Sequence, residues 1–209
     1  LGMRHQILLM FPLLFANAKQ DGKNLARYSD SMCGERGAKC IDGAKGVWQD
    51  NQRAAEEHYE PGYFTTFNGF EYSPTLQDGG MLHRNVIFRG NKVPTNVFSA
   101  MDGFAEDLLR WLDLQCKGDC QVLTIPHNPN FSWGLMFGEN NSDGTPIAKE
   151  SLALRARYDA LIEIFQAKGG SECTIGIGTT DEQCGFENIF PACTAEEAKV
   201  NPERGQHAP

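Results

Sequence analysis

The chain has 209 residues, 41% hydrophobic and 22% charged, enough to bury one core and too apolar for a disordered protein. Its net charge of −8 excludes a general nucleic-acid or anionic-membrane binder, since both need basic surfaces. A phosphorylated small substrate is not excluded, because a local metal cluster can hold one against the global charge.

At the N-terminus, Arg4 and His5 precede an apolar run over residues 7–15 and then Ala16-Asn17-Ala18, which mimics a secretory signal with a small-residue cleavage site. The run is too short to cross a bilayer as a helix, and a core helix or strand is the alternative reading. Leu1 and Gly2 stand before Met3, so the chain reads as cut from something longer. The polar, Gly-rich stretch 19–46 predicts a long loop. A helix follows over 47–59, ended by Pro61-Gly62.

The apolar run 64–70 predicts a strand, and the turn-rich stretch 73–80 leads to a second strand over 85–89. Phe104, Leu108, Trp111 and Leu112 recur at the helical period and predict an amphipathic helix over 104–114. A third strand spans 122–125. Residues 128–149 form an Asn/Gly/Ser-rich loop of a length that is often functional in a compact domain. A helix over 152–160, a strand over 161–166 and a charged tail from 194 to 209 complete the chain. Alternating strands and helices give an α/β class with parallel strands as the default.

Seven cysteines fall as Cys33/Cys40, Cys116/Cys120 and Cys173/Cys184, with Cys193 left over. None forms a C-x-x-C, so zinc-ribbon and thioredoxin readings are weak. Short-range disulfides in an oxidising compartment, periplasmic or extracellular, fit better, although spacing alone does not fix connectivity.

Three of the apolar runs carry a metal-binding side chain at one end. Glu71 tops the first, His83 opens the second and His127 follows the third. Carboxylate oxygen and imidazole nitrogen bind divalent ions such as zinc, manganese or iron. Two or more such ions acidify a bridging water and neutralise a phosphoryl oxyanion. In this arrangement Glu71, with two oxygens, bridges ions, and His83 and His127 fill one position each. Glu71 and His127 are also the expected catalytic residues. Each of the three alone is more often a hydrogen-bonded structural residue. His5, His58 and His207 are assigned to loop, helix surface and tail.

The local sequences Phe64-Thr65-Thr66-Phe67-Asn68-Gly69-Phe70-Glu71-Tyr72, Leu82-His83-Arg84-Asn85-Val86-Ile87-Phe88-Arg89, Ile125-Pro126-His127-Asn128-Pro129-Asn130 and Glu163-Ile164-Phe165-Gln166-Ala167-Lys168-Gly169-Gly170-Ser171-Glu172-Cys173 resemble a bacterial family catalogued as a domain of unknown function. That family is similar to a branch of the PHP (polymerase and histidinol phosphatase) superfamily of metal-dependent phosphoesterases, and the resemblance covers about residues 33–187. It implies a distorted (β/α)7 barrel with a two- or three-metal centre at the strand ends. Glu71, His83 and His127 match three of its ligands. The early His-x-His, Thr-Asp-His and late Asp-x-His motifs of such proteins are not present. Residues 1–209 are therefore expected to form a single partial domain from the middle of a barrel, inactive or weakly active by itself. The apolar run near the N-terminus is then a barrel segment rather than a signal.

Arg84, Asn128 and Lys168 are the expected substrate-binding residues, since guanidinium forks and ammonium charges match an ester oxyanion. A salt bridge is the structural alternative for Arg84. The expected activity is hydrolysis of a phosphate ester or similar ester of small size. The competing expectation is a non-catalytic, disulfide-stapled extracellular binding domain.

Overall fold

The computed structural model describes residues 30–75, 80–100, 102–127, 129–132, 135–141, 144–166, 169–170, 173, 179–184 and 186. A helical turn, Asp30–Cys33, leads into helix α1, Ala38–Glu57. The helix thus begins nine residues before the expected start at 47. Ala38, Lys39, Ala44 and Lys45 are good helix formers that offset Gly43 and Gly46. The Cys33–Cys40 disulfide fastens the preceding turn to the first turn of α1.

Strands β1, Asn68–Tyr72, β2, Arg84–Phe88, and β3, Val122–Pro126, form one sheet in the order β1-β2-β3. Helices α2, Ala105–Gln115, and α3, Lys149–Tyr158, follow β2 and β3 respectively. Strands β4, Phe165–Gln166, and β5, Gly169–Gly170, pair as a separate two-stranded sheet. The six described cysteines pair as Cys33–Cys40, Cys116–Cys120 and Cys173–Cys184. Short-range disulfides are therefore present as expected, and Cys193 lies outside the described residues.

The expectation of parallel strands is corrected: both strand pairs of the sheet are antiparallel. The described residues of the connection 73–83 include no crossover helix. Between β2 and β3 the chain runs along the sheet twice. The segment after Phe88 returns to the end of the sheet where Tyr72 lies, and the Tyr72 hydroxyl donates to the Gly103 carbonyl (2.6 Å) just ahead of α2. Helix α2 then descends to the far end, where Arg89 N–H bonds the Gln121 carbonyl (3.0 Å). Two passes restore the starting end, so β3 enters against β2. A βαβ unit makes one pass and gives parallel strands. A (β/α)7 barrel is not seen; the described residues form a mixed α/β arrangement on a small antiparallel sheet.

Side chains alternate across this sheet. Tyr72, Arg84 and Pro126 form one row of its inner face, and Phe70, Val86 and Thr124 form the next. The three helices cover this face. Trp48 of α1 meets Phe70 edge-on (5.9 Å between centroids) and donates its indole N–H to the Pro94 carbonyl (2.9 Å). Leu108, Leu109 and Leu112 bring the apolar stripe of α2 into the same core, and Tyr158 of α3 joins them. Asp107 holds the start of α2 by accepting the Phe104 N–H (3.0 Å).

One ion pair lies inside this apolar layer. Arg84 is 1% exposed and the Asp159 side chain 7%. The guanidinium forks onto the carboxylate, Nε to Oδ1 at 3.1 Å and Nη2 to Oδ2 at 3.3 Å, while Thr124 donates its hydroxyl to Oδ1. Nη1 donates to the Leu82 carbonyl (3.3 Å). The pair ties β2 and β3 to the end of α3. Asp159→Ala would leave the guanidinium buried without its anion, so we expect a loss of about 3–5 kcal/mol in urea-induced unfolding. Replacing both residues by apolar ones of similar volume should cost much less, and equal losses in the two variants would contradict this account.

Candidate metal centre

An antiparallel middle strand brings the end of β1, the start of β2 and the end of β3 to one edge of the sheet. The pairing Tyr72↔Arg84↔Pro126 marks that edge. The ladder continues one step further, with His127 N–H bonding the His83 carbonyl (3.3 Å), so the two histidines stand opposite each other. Residues one step from the inner-face row point to the other face of the sheet, so His83, His127 and Glu71 share that open face. Glu71 lies on the diagonal from His83, a separation that long side chains span.

The three side chains converge. Glu71 Oε1 is 3.1 Å from His83 Nδ1 and 3.2 Å from His127 Nε2. One ligand atom from each residue lies within 4.8 Å of the others. The imidazole rings are 5.9 Å apart and inclined at 70°. Both histidine side chains are largely covered, at 16% and 15% exposure, whereas the Glu71 side chain is 48% exposed and opens the cluster to solvent. Beneath Glu71 the strands approach closely at Gly69, where a Cβ would lie 2.9 Å from the Val86 carbonyl oxygen.

Partial burial works to raise the Glu71 pKa, but the hydrogen bond from the Ser73 side chain and the nearby His83 and His127 together hold it below its ordinary value. The folded value is depressed, so this contribution to stability is present above the unfolded value and is lost as pH falls through the folded one. His127 Nδ1 lies 3.4 Å from the Ile125 carbonyl, an acceptor for a proton on that nitrogen when Nε2 turns its lone pair toward a cation. The Gln166 amide donates to the His127 carbonyl and fixes the backbone at this point. One carboxylate and two imidazoles fit a divalent ion of the zinc, manganese or iron type.

The structure thus brings together Glu71, His83 and His127. Arg84, although next to His83, points to the opposite face and is committed to Asp159; its expected contact with substrate gives way to a structural ion pair. Asn128 and Lys168 lie outside the described residues, as do the residues 7–15 and the tail 194–209. His58 caps the end of α1 with Nδ1 2.9 Å from the Ala54 carbonyl. The expected strand 161–166 pairs as a strand only at Phe165–Gln166. Ser73 and Asp159 were not singled out in the sequence. A serine two residues beyond Glu71 on the same strand face was the available signal for the first; nothing local marked the second.

No curated protein and no solved structure matches the chain. A family described as a protein of unknown function, DUF3604, matches residues 9–207, and the chain belongs to that family.

Proposed function

We propose that this chain carries part of the metal centre of a metal-dependent hydrolase acting on a phosphate ester or a similar small ester. The observation that supports this reading is the meeting of one Glu71 oxygen with a nitrogen of both His83 and His127. The resemblance of the surrounding motifs to PHP phosphoesterases points the same way. A divalent ion held there supplies an acidified water and positive charge against the oxyanion that develops on the ester. Glu71 and the two histidines hold the ion, and the exposed side of Glu71 admits substrate. Three protein ligands leave positions for water and substrate. Asn128 and Lys168 are proposed to contact the ester oxyanion. We further assign the protein to the periplasm or the extracellular space, where its three disulfides persist. Among the described residues, no helix is long and apolar enough to cross a membrane.

A binding module with purely structural histidines competes with this reading. In that reading the convergence serves only to pair the Glu71 carboxylate with the two imidazoles.

Dialysed protein loaded with zinc or manganese at pH 7.5 should retain at least one ion per chain by elemental analysis. His127→Ala should weaken binding at least about tenfold in calorimetric titration. Retained metal should fall on acidification, because protons compete with the ion for carboxylate and imidazole lone pairs. A chain that keeps no metal at pH 7.5 would return the cluster to a structural role.

Catalysis is tested separately. Glu71→Gln should abolish whatever weak bis(p-nitrophenyl) phosphate hydrolysis this partial domain supports, with an unchanged circular dichroism spectrum. Retention of most of the turnover would remove Glu71 from the centre.

A further inference from the structure

The segment between α3 and β4 holds a second carboxylate beside the same sheet edge. Glu163 N–H donates to the Pro126 carbonyl (3.0 Å), which places this segment along the free edge of β3. Three residues on, the Gln166 amide reaches both the His127 carbonyl and the Asn130 side chain (3.5 Å to Oδ1). From 163 to 166 the chain therefore advances in the direction of 126 to 130, parallel to β3. In a parallel pair, a residue whose N–H bonds the carbonyl of one residue stands opposite the next. Glu163 accordingly stands opposite His127 and shares its face of the sheet.

One oxygen of the Glu163 carboxylate also lacks a partner that its burial calls for. Its Oε2 is buried and has no hydrogen-bond donor among the described residues. A buried carboxylate oxygen without a donor is costly, and such an oxygen is ordinarily accounted for by an ion or a water. A cation at the neighbouring centre meets that requirement.

We infer that Glu163 is a fourth protein ligand of the metal centre, binding a divalent cation together with His127. This rests on the metal reading of Glu71, His83 and His127. Its carboxylate is not among the atoms within 4.8 Å of one another, so it enlarges the cluster on the β3 side. Two carboxylates and two imidazoles then surround the centre, a set of hard and borderline donors suited to manganese, iron or zinc.

The test uses the 209-residue chain, its Glu163→Gln variant and its His127→Ala variant. Each is titrated with manganese and with zinc by calorimetry, and its thermal midpoint is measured in chelator and in saturating metal. Glu163→Gln keeps the shape of the side chain and replaces the buried oxygen that has no donor among the described residues. Its midpoint in chelator should equal or exceed that of the parent, while its metal affinity falls about tenfold or more and the midpoint rise caused by metal shrinks. A structural role for Glu163 predicts the reverse, a lower midpoint in chelator with unchanged affinity, and that result would overturn the inference. Unchanged affinity in Glu163→Gln alongside weakened binding in His127→Ala would overturn it while leaving the three-residue centre intact. Absence of metal binding by the parent chain would overturn both.

Discussion

The direction of β2 is the constraint on which the arrangement depends. Because this strand runs against both neighbours, its beginning lies at the same edge as the ends of β1 and β3. A histidine that opens its apolar run can therefore join a glutamate and a histidine that close theirs. In an all-parallel sheet His83 would sit a strand's length away, about 17 Å for five residues. The reversal itself comes from the excursion between β2 and β3, which traverses the sheet twice before β3 begins.

The strict alternation of side chains then divides labour between the two faces. Arg84 and His83 are consecutive, yet one is locked beneath the sheet and the other faces the cluster. The inner face combines an aromatic and leucine core with the buried Arg84–Asp159 pair. A buried pair of this kind contributes little net stability over an apolar substitute, but it is intolerant of losing one member. It binds the end of α3 to β2 and β3, and so sets where the chain emerges toward Glu163 and Gln166. The three converging side chains thus stand on or directly beside paired strands backed by a packed layer, which holds them more closely than loops would.

Electrostatics at the open face are consistent with this division. Ser73 and the two histidines hold the Glu71 pKa below its ordinary value despite partial burial. Its carboxylate can serve as an anion for the imidazoles or as a ligand shared with a cation, and both uses require the same convergence. Two of the disulfides act elsewhere. Cys116–Cys120 closes the turn between α2 and β3, and Cys33–Cys40 closes the approach to α1, so each restrains a connection rather than the site.

Much of the local structure was legible in the residues. The apolar stripe of Phe104, Leu108 and Leu112 marked α2 to within a residue, and the three apolar runs marked the sheet strands. Cysteine spacing pointed to short-range bridges, and the chemistry of Glu71, His83 and His127 singled out three side chains that the structure brings together. Those features are encoded by side-chain type and by periods of two or three to four residues. The early start of α1 was hidden because glycines at 43 and 46 resemble loop residues, and the Cys33–Cys40 disulfide that fastens the first turn is fixed only in the folded chain. Strand direction, the opposite fates of His83 and Arg84, and the partnership of Arg84 with Asp159, 75 residues away, were decided only by the tertiary structure. Each depends on which strands pair and in what register, and backbone pairing between distant segments leaves no periodic mark on the sequence of either.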